Sequence, residues 1–275
     1  MKNKSNNISK HDVAKTVWYL GTIGFAYKAW QGLFYPPWLE TRNYLATYSK
    51  IFNAVEVDST FYGIPRLETV ARWRDQISPD FRLCPKTPRS ITHDFSLQTS
   101  LNEMQRFIEV ISTLEQNLGP ILLQWPPHFS TSHLDDLDNF LAALPNGIQT
   151  ANEFRHPSWD TNQTADLLTK HQAAWVSVDY VHSPRKIIPT TDFLFIRWLG
   201  EHDRFIRGSE DRLDVSRDLD WWQAEIDKKI PETTTVYGFF NDDFAGHGPE
   251  TCNQFKALIG LPTQYPQFPK QGTLF

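Results

Sequence analysis

Carboxylates, cations and amides recur along this sequence directly after short apolar runs, which is where side chains able to do chemistry at a folded rim would lie. Glu56 and Asp58 come at the end of Ala54–Asp58, Lys86 follows Phe81–Pro85, and Gln124 follows Ile121-Leu122-Leu123. Glu153, Arg155 and His156 follow Gln149–Asn152, Asp179 closes the run from Ala174, Arg197 lies in Phe193–Trp198, and Asn241 follows Thr234–Phe240. Glu56, Glu153 and Asp179 are the candidate catalytic carboxylates, because burial behind an apolar run moves a carboxyl pKa toward the range useful for proton transfer. His93, in Arg89-Ser90-Ile91-Thr92-His93, and His156 are the imidazoles that would share that work. Lys86, Arg155 and Arg197 would hold a phosphate or carboxylate, and Gln124 and Asn241 would supply directional hydrogen bonds. Tyr62, Trp125 and Trp159 would stack on a ring. For any one of these residues an ion pair or a core position is the competing reading; so many of them converging on one rim favours a ligand site.

Two narrower chemistries draw on the same residues. Glu153-x-x-His156 with His93 and Asp179 could hold a divalent metal, but there is no H-E-x-x-H and no cysteine pair to strengthen that reading. Glu56 and Glu153 could act as the paired carboxylates of a glycosidase, a role defined by a separation that sequence does not give. The reaction class therefore stays open, with hydrolysis the first enzyme class to consider and the cofactor unassigned.

The elements that must position these groups follow from patterning. Eight β-rich runs, at Val17–Ile23, Ala54–Asp58, Phe81–Cys84, Ile121–Gln124, Gln149–Glu153, Ala174–Asp179, Phe193–Trp198 and Thr234–Phe240, alternate with helical stripes. Leu67, Val70, Trp73 and Ile77 share one helical face; Met104, Phe107, Ile108, Ile111, Leu114 and Leu118 make a longer stripe. Leu134, Leu137, Leu141 and Leu144 make a third, and Trp222, Ile226 and Ile230 a fourth. Gly119 and Gly260 stand where helix C-caps belong. Eight strands alternating with helices predict an α/β fold, a single (β/α)8 TIM-type barrel whose site lies at the C-terminal ends of the strands. Gly21-Thr22-Ile23-Gly24 after the first strand lacks the G-x-G-x-x-G of a dinucleotide-binding fold.

Composition sets the outer bounds. The 275 residues carry 27 Lys+Arg against 32 Asp+Glu, a net charge of −5 that argues against binding extended duplex nucleic acid. Forty per cent hydrophobic residues can fill a core, and 10 Trp, 9 Tyr and 19 Phe make it an aromatic one. Two cysteines, Cys84 and Cys252, are too few for a disulfide framework. No apolar stretch approaches the roughly 20 residues of a membrane span. The polar N-terminus has no signal-peptide core, so the cytoplasm is the expected compartment. The organisation expected is a polar tail over 1–15, one barrel domain over 16–260 and an extended tail over 261–275.

The motifs also resemble a known family. Glu56-Val57-Asp58-Ser59-Thr60-Phe61-Tyr62, Phe81–Lys86, Ile91-Thr92-His93, Gly119–Pro127, Glu153-Phe154-Arg155-His156-Pro157-Ser158-Trp159 and Asp179 occur in the order seen in the YecE-like family, the domain of unknown function numbered seventy-two. The resemblance runs over roughly 18–260 and implies a TIM-type barrel without supplying an activity. It carries over Glu56, Tyr62, Lys86, His93, Gln124, Glu153, Arg155, His156, Trp159, Asp179, Arg197 and Asn241 as motif positions. Two departures stand out. Arg197-Trp198-Leu199-Gly200 lacks the histidine of an Arg-x-His-Gly pattern, for which His202 could substitute, and Asn241-Asp242 replaces Asn-Asn.

The chain ends Gln271-Gly272-Thr273-Leu274-Phe275, which is similar to the peptides by which bacterial DNA-processing proteins dock on the replication sliding clamp. Leu274 and Phe275 would be adjacent apolar anchors and Gln271 a polar latch. Two function classes are thus carried forward. One is an enzyme acting on a small anionic, sugar or nucleotide-type ligand; the other is a binding module tethered to the replication or repair machinery through this tail.

Overall fold

A computed structural model describes residues 16–202, 204–205 and 212–266; the expected 1–15 tail and Gln271, Leu274 and Phe275 lie outside the described residues. Strands form where the apolar runs predict: β1 Val17–Thr22, β2 Ala54–Val57, β3 Arg82–Pro85, β4 Ile121–Trp125 and β5 Thr150–Phe154. They continue with β6 Ala174–Trp175, β7 Ser177–Tyr180, β8 Phe193–Gly200 and β9 Thr235–Phe240. The expected sixth strand is therefore two short ones, divided at Val176, whose N–H donates to the Asn152 carbonyl at 3.0 Å.

All strand pairing is parallel, as helical connections between consecutive strands require. The ladders make an α/β fold of three sheets rather than one continuous sheet: β1-β9-β8-β7, β2-β3 and β4-β5-β6. Single bridges cross two of the seams. Ile23 pairs with Glu56 between β1 and β2, and Lys86 with Leu122 between β3 and β4.

Along each strand, successive side chains point to opposite faces. One face from all three sheets packs into a shared apolar cluster that includes Ala54, Cys84, Leu122, Ala151, Val178, Phe195 and Phe239. The other face meets the helices in two aromatic-rich layers, one around Trp18, Tyr48, Trp198 and Trp222, the other around Phe107, Trp125, Phe140 and Trp159. The four predicted stripes begin on helices Leu67–Asp75, Leu97–Ile111, Leu134–Ala142 and Ser216–Asp227, and each runs past its helix end, to Ile77, Leu118, Leu144 and Ile230. The longest stops short of its predicted end: after Ile111 the chain tightens into a 3-10 segment, Ser112–Asn117, with Glu115 at φ 52°.

Gly260 has the left-handed φ of +77° expected of a helix C-cap. Gly119 serves a different purpose. A β-carbon there would stand 2.5 Å from the Cys84 sulfur, so glycine is needed to let the backbone approach β3, where its N–H donates to the Leu83 carbonyl at 2.8 Å. Gly119→Ala should therefore lower stability by about 1–3 kcal/mol, the usual cost of overpacking a rigid site, measured as a lower urea midpoint at unchanged slope.

Candidate functional site

Above the apolar cluster, the same face of the strands carries the polar residues. Two positions on from Ala54 is Glu56; two on from Cys84 is Lys86; two on from Leu122 is Gln124. Two and four on from Ala151 are Glu153 and Arg155, and two on from Phe195 is Arg197. Period-two alternation thus brings these six together from separate strands.

Arg197 is the centre of the group. It is 4 % exposed, and its guanidinium meets Glu56 in a two-pronged pair, Nε to Oε2 and Nη2 to Oε1, both at 2.8 Å. Its third nitrogen, Nη1, donates to Glu153 Oε2. Glu56 and Glu153 are 0 % and 1 % exposed. Each of the three sheets supplies one member of this triad, Glu56 from β2, Glu153 from β5 and Arg197 from β8.

A second line of bonds runs from Glu153 toward the opening. Gln124 Nε2 donates to Glu153 Oε1 at 2.8 Å, and Lys86 Nζ donates to Gln124 Oε1 at 2.6 Å. These partners fix the amide orientation, because an ammonium can only donate and a carboxylate only accept. Arg155 Nε stands 2.5 Å from Glu153 Oε1 as an ion pair, but the N–H does not point along that line and has no hydrogen-bond partner. The Arg155 guanidinium lies over the Tyr180 ring at 4.3 Å, and Lys86 Nζ over Phe61 at 4.1 Å. Three cations therefore face two carboxylates, leaving one positive charge in excess.

A cavity of about 710 Å³ opens onto this group, lined by Lys86, His93, Gln124, Arg155, Tyr180 and Asn241 among others. A smaller one of about 200 Å³ shares Arg155 and His182 with it and reaches Glu153 and His156. The remaining predicted residues are placed elsewhere. Asp179 has the opposite parity to Tyr180, so it turns toward the helices and accepts from Trp222 Nε1 at 2.6 Å, with Arg185 Nη2 3.1 Å away. Trp125 is buried beneath the helices, stacked on Phe129; Trp159 is buried in the same layer, stacked on Phe129 and Phe154, and borders the smaller cavity. Tyr62 is 89 % exposed and lines neither cavity. His156 Nδ1 accepts from the Ser158 N–H at 3.1 Å, capping the turn Pro157–Trp159.

Among the described residues no three His, Cys, Asp or Glu side chains gather in a way that could hold a metal ion. Of the carboxylates and histidines expected to form one, Asp179 faces the opposite side and Glu153 is engaged by two arginines. Sequence reasoning missed Tyr180, His182 and Ser183 as cavity residues. Parity would have found Tyr180, two positions beyond Val178; the others lie in loops that carry no periodic signal.

Residues 19–273 match the family model described as "Protein of unknown function DUF72". The chain belongs to the DUF72 family. A 115-residue stretch is 36 % identical to the UPF0759 protein YecE of Escherichia coli K12, spanning 42 % of this chain and 42 % of the relative's length. A solved DUF72 structure from Thermotoga maritima is 27 % identical with a TM-score of 0.73, covering 88 % of this chain and 99 % of that one. One from Enterococcus faecalis is 20 % identical with a TM-score of 0.71, covering 90 % and 99 %, and shares the fold. In this DUF72 chain Leu199 stands where the Arg-x-His-Gly pattern has histidine and lines the larger cavity, and His202 lines it too, with Nδ1 3.3 Å from Asp243 Oδ2.

The site's electrostatics follow from burial and pairing. Burial alone would raise Glu153, but Arg155, Arg197 and the Gln124 hydrogen bond outweigh it and bring its pKa down to about 2. Glu56 is raised, because burial exceeds the opposing pull of Arg197. Burial, with Arg197 nearby, lowers Lys86 to about 8, and burial with Lys86 nearby lowers His93 to about 4.

Two predictions follow from this balance. Glu153 is depressed on folding, so its contribution is present above its ordinary pKa of 4.5 and is lost as pH falls from there toward 2; chemical denaturation across that range should show the loss, and Glu153→Gln should diminish it. Arg197→Met leaves two buried carboxylates without their shared cation and should cost about 3–5 kcal/mol at pH 7. In that variant both carboxyl pKa values rise, so stability should recover as pH is lowered from 7 toward 5, by more than in the wild type.

Proposed function

We propose that this DUF72 protein is an enzyme that takes a small anionic metabolite, a sugar or nucleotide-type phosphate or carboxylate, into the larger cavity. In this reading the three sheets are sectors of one eight-stranded barrel, β6 and β7 acting as a single strand, and the cavity is its mouth at the C-terminal ends of the strands. The observation that carries the proposal is the pair of cations, Arg155 and Lys86, in one cavity wall that also includes the Asp243 carboxylate. Glu56 and Glu153 neutralise Arg197 beneath the cavity, while Arg155 and Lys86 line it. The volume suits a ligand of metabolite size, and Tyr180 offers an aromatic face already packed by a cation. A hydrolytic form of the reading would use His93, neutral at pH 7, to accept a proton from water.

The test is binding. Thermal melts with inorganic phosphate, ribose 5-phosphate and adenosine monophosphate should show stabilisation by at least one of them, and calorimetry gives its affinity. Arg155→Ala should weaken that affinity about tenfold or more, the equivalent of one charge-assisted hydrogen bond of about 1.5–3 kcal/mol. No stabilisation by any of these anions would overturn the reading.

A second, separable proposal rests on the sequence of the tail. Gln271, Leu274 and Phe275 would dock this chain on a DNA sliding clamp, which would place the cavity near replication or repair, either as an enzyme or as a non-catalytic binding module. Purified clamp should bind the full-length protein, and Leu274→Ala with Phe275→Ala should remove the binding while leaving the melting temperature unchanged. Equal binding by both proteins would refute it.

A further inference from the structure

Among the three cations of the site, Lys86 is paired differently. Arg197 contacts two carboxylates and Arg155 one, whereas the Lys86 amine donates to a neutral amide, Gln124 Oε1, at 2.6 Å. Among the described residues it has no carboxylate oxygen within ion-pairing distance. Its flank is covered by the Phe61 ring at 4.1 Å, and Lys86 lines the larger cavity. An amine that is desolvated, has a cationic neighbour and lacks a direct counter-ion is the arrangement that turns lysine from an ion-pair partner into a nucleophile.

We propose that Lys86 forms a covalent imine with the carbonyl carbon of a small aldehyde or ketone that also carries a phosphate or carboxylate. This rests on the anionic-ligand reading, with Arg155 as the group that holds the ligand's charge. The neutral amine adds to the carbonyl carbon, forming a C–N bond. The carbonyl oxygen then leaves as water, taking one hydrogen from the amine and one proton from solvent, and the nitrogen keeps its other hydrogen as a protonated imine. The lowered Lys86 pKa of about 8 is consistent with an appreciable neutral fraction near neutral pH; burial, then Arg197 and Arg155, push it down, and Glu56 and Glu153 hold it up. His93, in the same cavity wall and neutral at pH 7, is the base available to take a proton from the carbon next to the imine. Gln124 is a positioning residue, orienting the amine through its own bond to Glu153.

The test is reductive trapping on the full-length protein. Wild type is treated with glycolaldehyde phosphate, dihydroxyacetone phosphate or glyoxylate together with sodium cyanoborohydride, which delivers hydride to the imine carbon and fixes a secondary amine. Modified lysines are then mapped by peptide mass spectrometry. Lys86 should be the dominant site with at least one probe, excess inorganic phosphate should suppress that adduct, and Lys86→Arg should lose it while labelling of exposed lysines is unchanged. Labelling confined to exposed lysines with all three probes overturns the proposal. The mapping on wild type decides this even if Lys86→Arg fails to fold. Stabilisation of wild type by any of the three anions named above without a Lys86 adduct overturns imine formation and leaves the anion-binding reading standing; no stabilisation by any of them and no adduct overturns both.

Discussion

A guanidinium taken out of water must be neutralised where it lies, and in this protein that requirement ties three sheets together. Arg197 on β8 can be buried only because Glu56 on β2 accepts from two of its nitrogens and Glu153 on β5 from the third. A buried ion triad of this kind adds little net stability, since desolvation offsets most of the Coulomb gain, but losing one partner is severe. Its larger effect is on register. A slip of one residue in β2, β5 or β8 would turn a charged side chain into the aromatic layer beneath the helices, with no partner there. The triad therefore helps specify how strands that share no continuous hydrogen-bond ladder align with one another.

That constraint also separates the charges that line the cavities from those buried beneath them. With Arg197 saturated, Glu56 lines neither cavity and is a poor choice for proton transfer to substrate. Glu153 is held ionised by two arginines, so it serves better as the anchor for Gln124, and through Gln124 for Lys86, than as an acid. The chemistry at the cavity wall thus shifts from the carboxylates to the groups they orient: an amine, an arginine and an imidazole. A reading of paired carboxylates as glycosidase residues does not survive this, because both are committed to the same guanidinium.

Most of the fold was legible in the sequence because strand and helix periodicities are local and strong. All eight β-rich runs are strands, and the four stripes begin on helices. What the runs could not reveal is where a ladder breaks, since Val176 is as apolar as its neighbours and only the change of partner strand divides β6 from β7. The site was legible to the extent that parity was applied. Glu56, Lys86, Gln124, Glu153, Arg155 and Arg197 stand on the face of the shared cluster, whereas Asp179 ends the same kind of run on the other face. Trp125 misled for a physical reason: a large ring next to polar residues can equally be a ligand platform or the outer packing of a strand, and composition does not separate the two. His156 was legible as polar and near the site, but its commitment to Ser158 depends on a turn that sequence alone does not fix.

The second cavity gives Arg155 a position that the other cations lack. It borders both cavities with His182, and its Nε–H is not satisfied by the Glu153 carboxylate beside it. That Nε is itself shut off from solvent, so an anion in either cavity would meet other atoms of the guanidinium by charge-assisted contact. Lys86, by contrast, borders only the larger of these two cavities and donates to a neutral amide beneath an aromatic cover. The division of labour proposed for the two residues, Arg155 for charge and Lys86 for bond formation, rests on Arg155 bordering both cavities and on Lys86 having a neutral amide rather than a carboxylate as its direct partner.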